Sequence, residues 1–323
     1  MDIVVCTDIN YIMPCGIMMT SLCENNKDEL ITFHFIINDT VTPPFKEQLT
    51  KIAKFYSKEI EFITMDDNEL KELPIPLKRY TASVYYRMFL AKILPLDIHK
   101  ILFLDGDIII RRSLIPLWET DISDVAIGAI PDMGDANMEF YNRLQYDSSK
   151  GYFNGGVLLI NLDYWRTHDV LERLLDYLAK YPSRIVLNDQ DVMNVVLQDE
   201  KRNLPLKFNM QEGYLYSHNS NFEWGKYGDE LNEALTTPTI IHYTHKIKPW
   251  YKECPHPYKD EYLKYKEMTI WKTVPLSSYQ DITHYNWLKK LKYCINKMRH
   301  IPIYSPEYID VRLNTNELTL SSV

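Results

Sequence analysis

Residues Lys100 to Ile110 read KILFLDGDIII, and the two carboxylates inside that apolar run constrain the chain more than any other segment. Two aspartates separated by one glycine at the tip of a buried strand put hard oxygens within reach of a single point. Carboxylates so placed can hold a divalent cation and leave coordination positions open for a phosphate group. Taken alone, Asp105-Gly106 between β-branched runs is also a type I′ turn signal, so the plain structural reading is a β-hairpin or a loop. Neither flank alternates apolar with polar, however, and a second aspartate buried beside a turn is costly without a cation or a hydrogen-bond donor. The rest of the chain has to decide.

The flanking pattern predicts an α/β architecture. Short apolar runs (Ile3 to Cys6, Thr32 to Ile37, Ile60 to Ile63, Ile101 to Leu104, Ile127 to Ile130) alternate with amphipathic segments (Gly16 to Cys23, Pro44 to Phe55, Val84 to Leu94). Such alternation indicates βαβ units and a mainly parallel sheet, whose ligands sit beyond the carboxyl ends of the strands. Asp8, after the first strand, and Asp105 and Asp107, after Ile101 to Leu104, fall on that edge. The polar stretch Pro131 to Lys150 reads as a long loop over the site, and Gly155-Gly156 within Gly151 to Leu162 signals a bulge or a close backbone approach. Apolar positions between Asp163 and Tyr181 and between Leu187 and Leu197 recur at helical spacing and read as packing helices.

With 323 residues, 46% of them apolar, the chain can bury a full core, and its net charge of −8 argues against a nucleic-acid partner. Small molecules are the expected ligands. Five cysteines without a CxxC pair point to a reduced, cytoplasmic setting, and neither a basic leader nor a membrane-spanning apolar stretch is apparent.

Further polar groups turn the aspartate pair into a constellation: Thr7-Asp8-Ile9-Asn10-Tyr11, Ser83-Val84-Tyr85-Tyr86-Arg87, Asn154-Gly155-Gly156, Asn188-Asp189-Gln190-Asp191, and His242 to Trp250, which reads HYTHKIKPW. Singly, each has an ordinary explanation as a helix cap, a surface charge or a satisfied structural histidine. Their joint presence in this order is much harder to explain structurally.

On these motifs, from about Ile3 to Trp250, the chain resembles glycosyltransferase family eight, the retaining enzymes that include lipooligosaccharide galactosyltransferases and glycogenin. The resemblance implies a Rossmann-like nucleotide-diphospho-sugar transferase fold, single-domain with a mixed, mainly parallel sheet. It implies Mn²⁺ or Mg²⁺ held by Asp105, Asp107 and His242, bridging the diphosphate of a UDP-sugar, UDP-galactose or UDP-glucose. By the same resemblance Asp8, Asn10 and Tyr11 hold the uridine, Lys248 meets the diphosphate, and Thr7 and Gly106 belong to the cofactor-binding set. Arg87, Asn154 and Asp189 contact the sugar, with Gln190 beneath the reacting carbon, and Gly155 belongs to the cofactor-binding set. His245 departs from the family pattern: it stands where relatives commonly carry a glycine, and it is a competing imidazole ligand.

The residue types suit sugar transfer from a diphosphate. Its leaving group gains negative charge, which a cation and Lys248 would stabilise, whereas a glycoside hydrolase needs two opposed carboxylates. A phosphatase of the haloacid-dehalogenase type would open its first strand with the DxD aspartate and carry a later GDxxxD. Here the first strand ends in Thr7-Asp8, and Gly134-Asp135 and Gly228-Asp229 lack the second aspartate. The alternatives that remain are a non-catalytic carbohydrate-binding or membrane-associated scaffold on the same fold, and a self-glucosylating, glycogenin-like protein.

The expected division is a catalytic domain over residues 1–250 and an aromatic, basic extension over 251–323. Within the extension, Tyr285 to Pro302 carries five Lys or Arg and no acidic residue. Leu288, Leu291, Ile295 and Met298 share one helical face there, a pattern suited to a basic helix lying on an anionic membrane, the alternative being a helix packed on the protein's own acidic body or in a dimer contact. The expected location is therefore cytoplasmic, peripheral on the inner face of the plasma membrane, near a saccharide or lipid-linked acceptor.

Overall fold

The computed structural model describes residues 1–66, 70, 82–216 and 221–279. The apolar runs form most of the strands: β1 (Asp2–Thr7), β2 (Thr32–Ile37), β3 (Glu59–Thr64), β4 (Lys100–Leu104), β5 (Ile108–Ile110), β6 (Ile127–Pro131), β7 (Phe153–Asn161) and β10 (Ile240–His242), joined by the polar β8 (Lys201–Asn203) and the short β9 (Met210–Gln211). They build a large sheet in the order β3-β2-β1-β4-β7-β6-β8 and a small one in the order β5-β10-β9. Parallel pairings join β1 to β2 and β4, β2 to β3 and β6 to β8, while β7 runs antiparallel to β4 and β6. The mixed, mainly parallel sheet expected from the sequence is present.

Successive strand residues point to opposite faces, and here both faces are covered. Ile3, Val5, Leu102, Leu104, Val157 and Leu159 enter one buried cluster, and Val4, Ile101, Phe103, Leu158 and Ile160 enter the other. This is why these strands read as continuous apolar runs. Chain beyond Trp250 joins the first cluster through Tyr258, Tyr262, Tyr265 and Trp271. The indole of Trp271 lies so close to Gly16, in the helix Ile12–Asn25, that a β-carbon there would come within 2.2 Å of it.

The hairpin alternative for Asp105-Gly106 is excluded, because β4 pairs with β1 and β7 whereas β5 leaves for the small sheet and pairs with β10, and two expectations are corrected. Pro131 to Lys150 is not a plain loop. It contains the helix Met138–Leu144, capped by the Asn137 side chain at one end and by left-handed Gln145 at the other, and it buries Tyr141 and Leu144 against Tyr152. The segment from Asp163 to Tyr181 holds two helices, Leu162–Thr167 and Val170–Lys180, broken at Asp169 with φ 50°. The basic stretch 285–302 lies outside the described residues. Among the described residues no helix is long and apolar enough to cross a membrane.

Candidate active site

The topology collects polar residues on one edge. Since β1 and β4 are parallel neighbours, Asp8 and Asp105 leave their carboxyl ends side by side. The Asp8 carboxylate accepts from Asn10 N–H at 2.8 Å, capping the short 3₁₀ turn Ile9–Tyr11 before the first helix. Asn10 is left exposed, and the Tyr11 ring meets Trp250 edge-on at 5.5 Å. Thr7 faces inward, its hydroxyl donating to Asp8 O at 3.1 Å.

His242 reaches the aspartates through the small sheet. In the antiparallel β5–β10 register His242 lies opposite Ile108, next in sequence to Asp107, and Tyr243 N–H donates to Asp107 O at 3.1 Å. As a result Asp105, Asp107 and His242 each offer a ligand atom, all within 4.8 Å of one another. Gly106 lets the turn fold tightly, since a β-carbon there would stand 2.6 Å from Cys15 Sγ. His245 is not part of this group: its Nδ1 accepts from Ile247 N–H at 3.3 Å, and burial, reinforced by Lys246 and Lys248, lowers it to about 4.

Two cations balance the carboxylates. Lys248 Nζ lies 2.6 Å from Asp107 Oδ2. Burial alone would raise Asp107, but the Lys248 charge and His242 outweigh it and hold this carboxyl well below the usual range. Arg87 lies over the Phe103 ring, 4.4 Å from its centroid, and reaches Asp105 Oδ1 at 3.1 Å and Asp189 Oδ2 at 2.7 Å. It also donates to Gly155 O. Asp189 is nevertheless pushed up to about 7 by burial, with the charge of Asp105 acting in the same direction against Arg87.

Gln190 is clamped on both ends of its amide. Gly155 N–H donates to its Oε1 at 2.8 Å, and its Nε2 donates to Asp132 Oδ2 at 3.2 Å. Asn154 Nδ2 donates to the same Asp132 oxygen at 2.9 Å. Next in the chain, Asp191 is fully buried and holds the start of the helix Asn188–Val196. Its Oδ2 accepts from Val186 N–H and Leu187 N–H, both at 2.7 Å, and from Arg143 Nη1 at 2.8 Å, while Oδ1 accepts from Tyr152 at 2.7 Å. These bonds steady Asn188, whose φ of 53° precedes Asp189.

Two residues of this edge escaped the sequence reading. Asp132 directly follows β6, which runs in the same direction as β4, so the rule that located Asp8 and Asp105 applies to it equally. Asn209, fully buried before β9, carries no local signal. The glycine pair does mark both a register irregularity in the β6–β7 pairing and a close approach. A β-carbon on Gly156 would lie 2.3 Å from His242 Cε1 and 2.8 Å from Asp105 Oδ2.

The chain is similar to known proteins over most of its length. A family model described as glycosyl transferase family 8 matches residues 2–254. General stress protein A of Bacillus subtilis (strain 168) is 28% identical over 278 residues, covering 85% of this chain and 96% of that protein. A lipopolysaccharide 1,2-glucosyltransferase of Escherichia coli is 29% identical over 278 residues, covering 83% of this chain and 78% of its own length. The crystal structure of the galactosyltransferase LgtC, in complex with donor and acceptor sugar analogs, superposes with a TM-score of 0.76 at 25% identity, over 84% of this chain and 96% of that one. The family match spans most of the sequence, and on that ground the chain belongs to glycosyl transferase family 8 and is a glycosyltransferase.

Proposed function

We propose that this enzyme transfers galactose or glucose from a UDP-sugar to a saccharide acceptor, with retention at the reacting carbon, in the assembly of lipopolysaccharide or another cell-surface glycan. The observation that carries the reading is the convergence of Asp105, Asp107 and His242 beside Arg87, Asp189 and Gln190 on one sheet edge. Two carboxylates and an imidazole suit Mn²⁺ or Mg²⁺, and the partial exposure of Asp105 leaves room for phosphate oxygens. A cation bound there would neutralise charge on the departing diphosphate.

The chain's own residues supply the rest. Lys248 places a second positive charge on the side of Asp107 where the diphosphate would lie. Arg87 engages Asp189 at 2.7 Å, and burial raises that carboxyl to about 7, so it is only partly ionised near neutrality and its Oδ2 is already committed to the guanidinium. The clamped Gln190 presents a neutral amide of fixed orientation beneath the sugar. These features favour displacement on a single face, the leaving phosphate taking the acceptor's proton.

Screening UDP-sugars for Mn²⁺-dependent hydrolysis, then the best donor with lipopolysaccharide-core and lipid-linked acceptors, tests the assignment. No turnover of any UDP-sugar with any divalent cation would overturn it. Gln190→Ala should lower kcat about 10- to 100-fold with donor KM little changed, because misplacing the reacting sugar costs rate more than binding. A covalent sugar trapped on Asp189 or Gln190 would contradict single-face displacement.

We further propose a cytoplasmic location with the stretch 285–302 docked on an anionic membrane, supported by its five basic residues in a chain of net charge −8. Each basic residue near such a surface contributes about 1 kcal/mol, weakening with salt. Truncation after Thr283 should abolish co-sedimentation with anionic liposomes and spare UDP-sugar hydrolysis. Equal sedimentation of the two proteins would rule the docking out.

A further inference from the structure

The hydrogen bonds behind His242 can be assigned from one donor whose identity is beyond choice. The backbone N–H of Gly156 points at the Asn154 side chain at 2.9 Å, so the atom it meets is the amide oxygen. The other end of that amide is then the NH₂ group, which faces the Asp132 carboxylate at 2.9 Å, as it should. The same Asn154 oxygen lies 2.9 Å from the Asn209 amide and must receive a proton from it, so Asn209 presents its NH₂ there. Its Oδ1 is left facing His242 Nδ1 at 2.8 Å. An amide oxygen only accepts; the proton in that contact therefore belongs to His242 Nδ1.

The opposite ring nitrogen faces the aspartates. His242 Nε2 stands 3.4 Å from Asp107 Oδ1 and 3.9 Å from Asp105 Oδ2, both long for a hydrogen bond. The ring cannot swing away from this orientation easily, since Gly156 packs against its Cε1 edge and Asn209 is fully buried. On the reading that Asp105, Asp107 and His242 hold a divalent cation, we propose that Asn209 is a positioning residue of that centre. It fixes His242 in the tautomer that offers Nε2 as a ligand, and it takes its own orientation, through Asn154, from a backbone N–H of β7. Outer partners of this kind typically change metal affinity about 10- to 100-fold when lost.

The probe is Mn²⁺ alone, titrated at fixed pH with free ion followed by electron paramagnetic resonance. Asn209→Ala should weaken Mn²⁺ binding about 10- to 100-fold. Asn209→Leu fills much the same volume but offers no acceptor for the Nδ1 proton, so it should lose as much affinity as alanine, whereas leucine would restore a loss that came from packing alone. Wild-type affinity in Asn209→Ala, or near wild-type affinity in Asn209→Leu, would overturn the inference while leaving the cation site standing. A wild-type protein that binds no Mn²⁺ would overturn both. Independently of any variant, ¹⁵N spectra of the histidine-labelled, metal-free protein should show His242 protonated at Nδ1, and a proton on Nε2 alone would exclude the proposed tautomer.

Discussion

Asp107→Asn should reduce sugar transfer by roughly 10³-fold or more, measured at saturating UDP-sugar and Mn²⁺, and the variant should remain folded. Replacing one carboxylate oxygen by an amide nitrogen removes a charged ligand atom from a group gathered within 4.8 Å. It also removes the negative charge that faces Lys248 at 2.6 Å, leaving only a neutral amide oxygen to accept from the ammonium. Relief of repulsion from Asp105 offsets part of that loss, and the strands on either side, with Leu104 and Ile108 buried, keep the turn in place. Circular dichroism and the thermal midpoint check the fold, and turnover checks the site. Transfer at a near wild-type rate would show that Asp107 holds no metal ion needed for catalysis.

Arg143→Met should cost about 3 kcal/mol of stability by denaturant titration, although Arg143 touches none of the proposed donor-binding side chains. The guanidinium enters from the helix Met138–Leu144 and reaches Asp191 with both terminal nitrogens, at 2.8 and 3.3 Å, and the carboxylate it meets has no exposed surface. Without it a buried charge retains only the tyrosine and the two backbone donors. Adding Asp191→Asn should recover part of the loss, since the uncompensated charge is then gone. A cost below about 0.5 kcal/mol for Arg143→Met would mean that the pair is screened like a surface contact.

The sequence exposed most of the frame because the central strands of the large sheet are buried on both faces and read as apolar runs, as in Val4-Val5 and Leu102-Phe103. Taken alone, Asp105-Gly106 carries a hairpin signal because turn chemistry is local, whereas the partner of β5 is β10, more than 100 residues further along the chain. The helix Met138–Leu144 was missed because two buried positions, Tyr141 and Leu144, are too few to establish a period. Asp163 to Tyr181 kept its apolar spacing across a break that only the backbone at Asp169 reveals. At the site, charged residues in ordered motifs were legible as a set. Asn209 was not, since its role exists only through atoms contributed by Asn154 and His242.

The division of the strands into two sheets has a consequence for how the protein comes into being. Asp105 directly follows a strand of the large sheet, whereas Asp107 directly precedes one strand of the small sheet and His242 ends another, with Gly106 as the single residue between the two aspartates. Any ion that engages all three side chains therefore ties one sheet to the other across that glycine. During synthesis, a chain emerging from its amino end can complete β1 to β4 early, yet the third ligand is supplied only once residue 242 has appeared and β10 has added beside β5. Capture of the ion would then be among the last events of folding, and it would report that the distant halves of the chain have met.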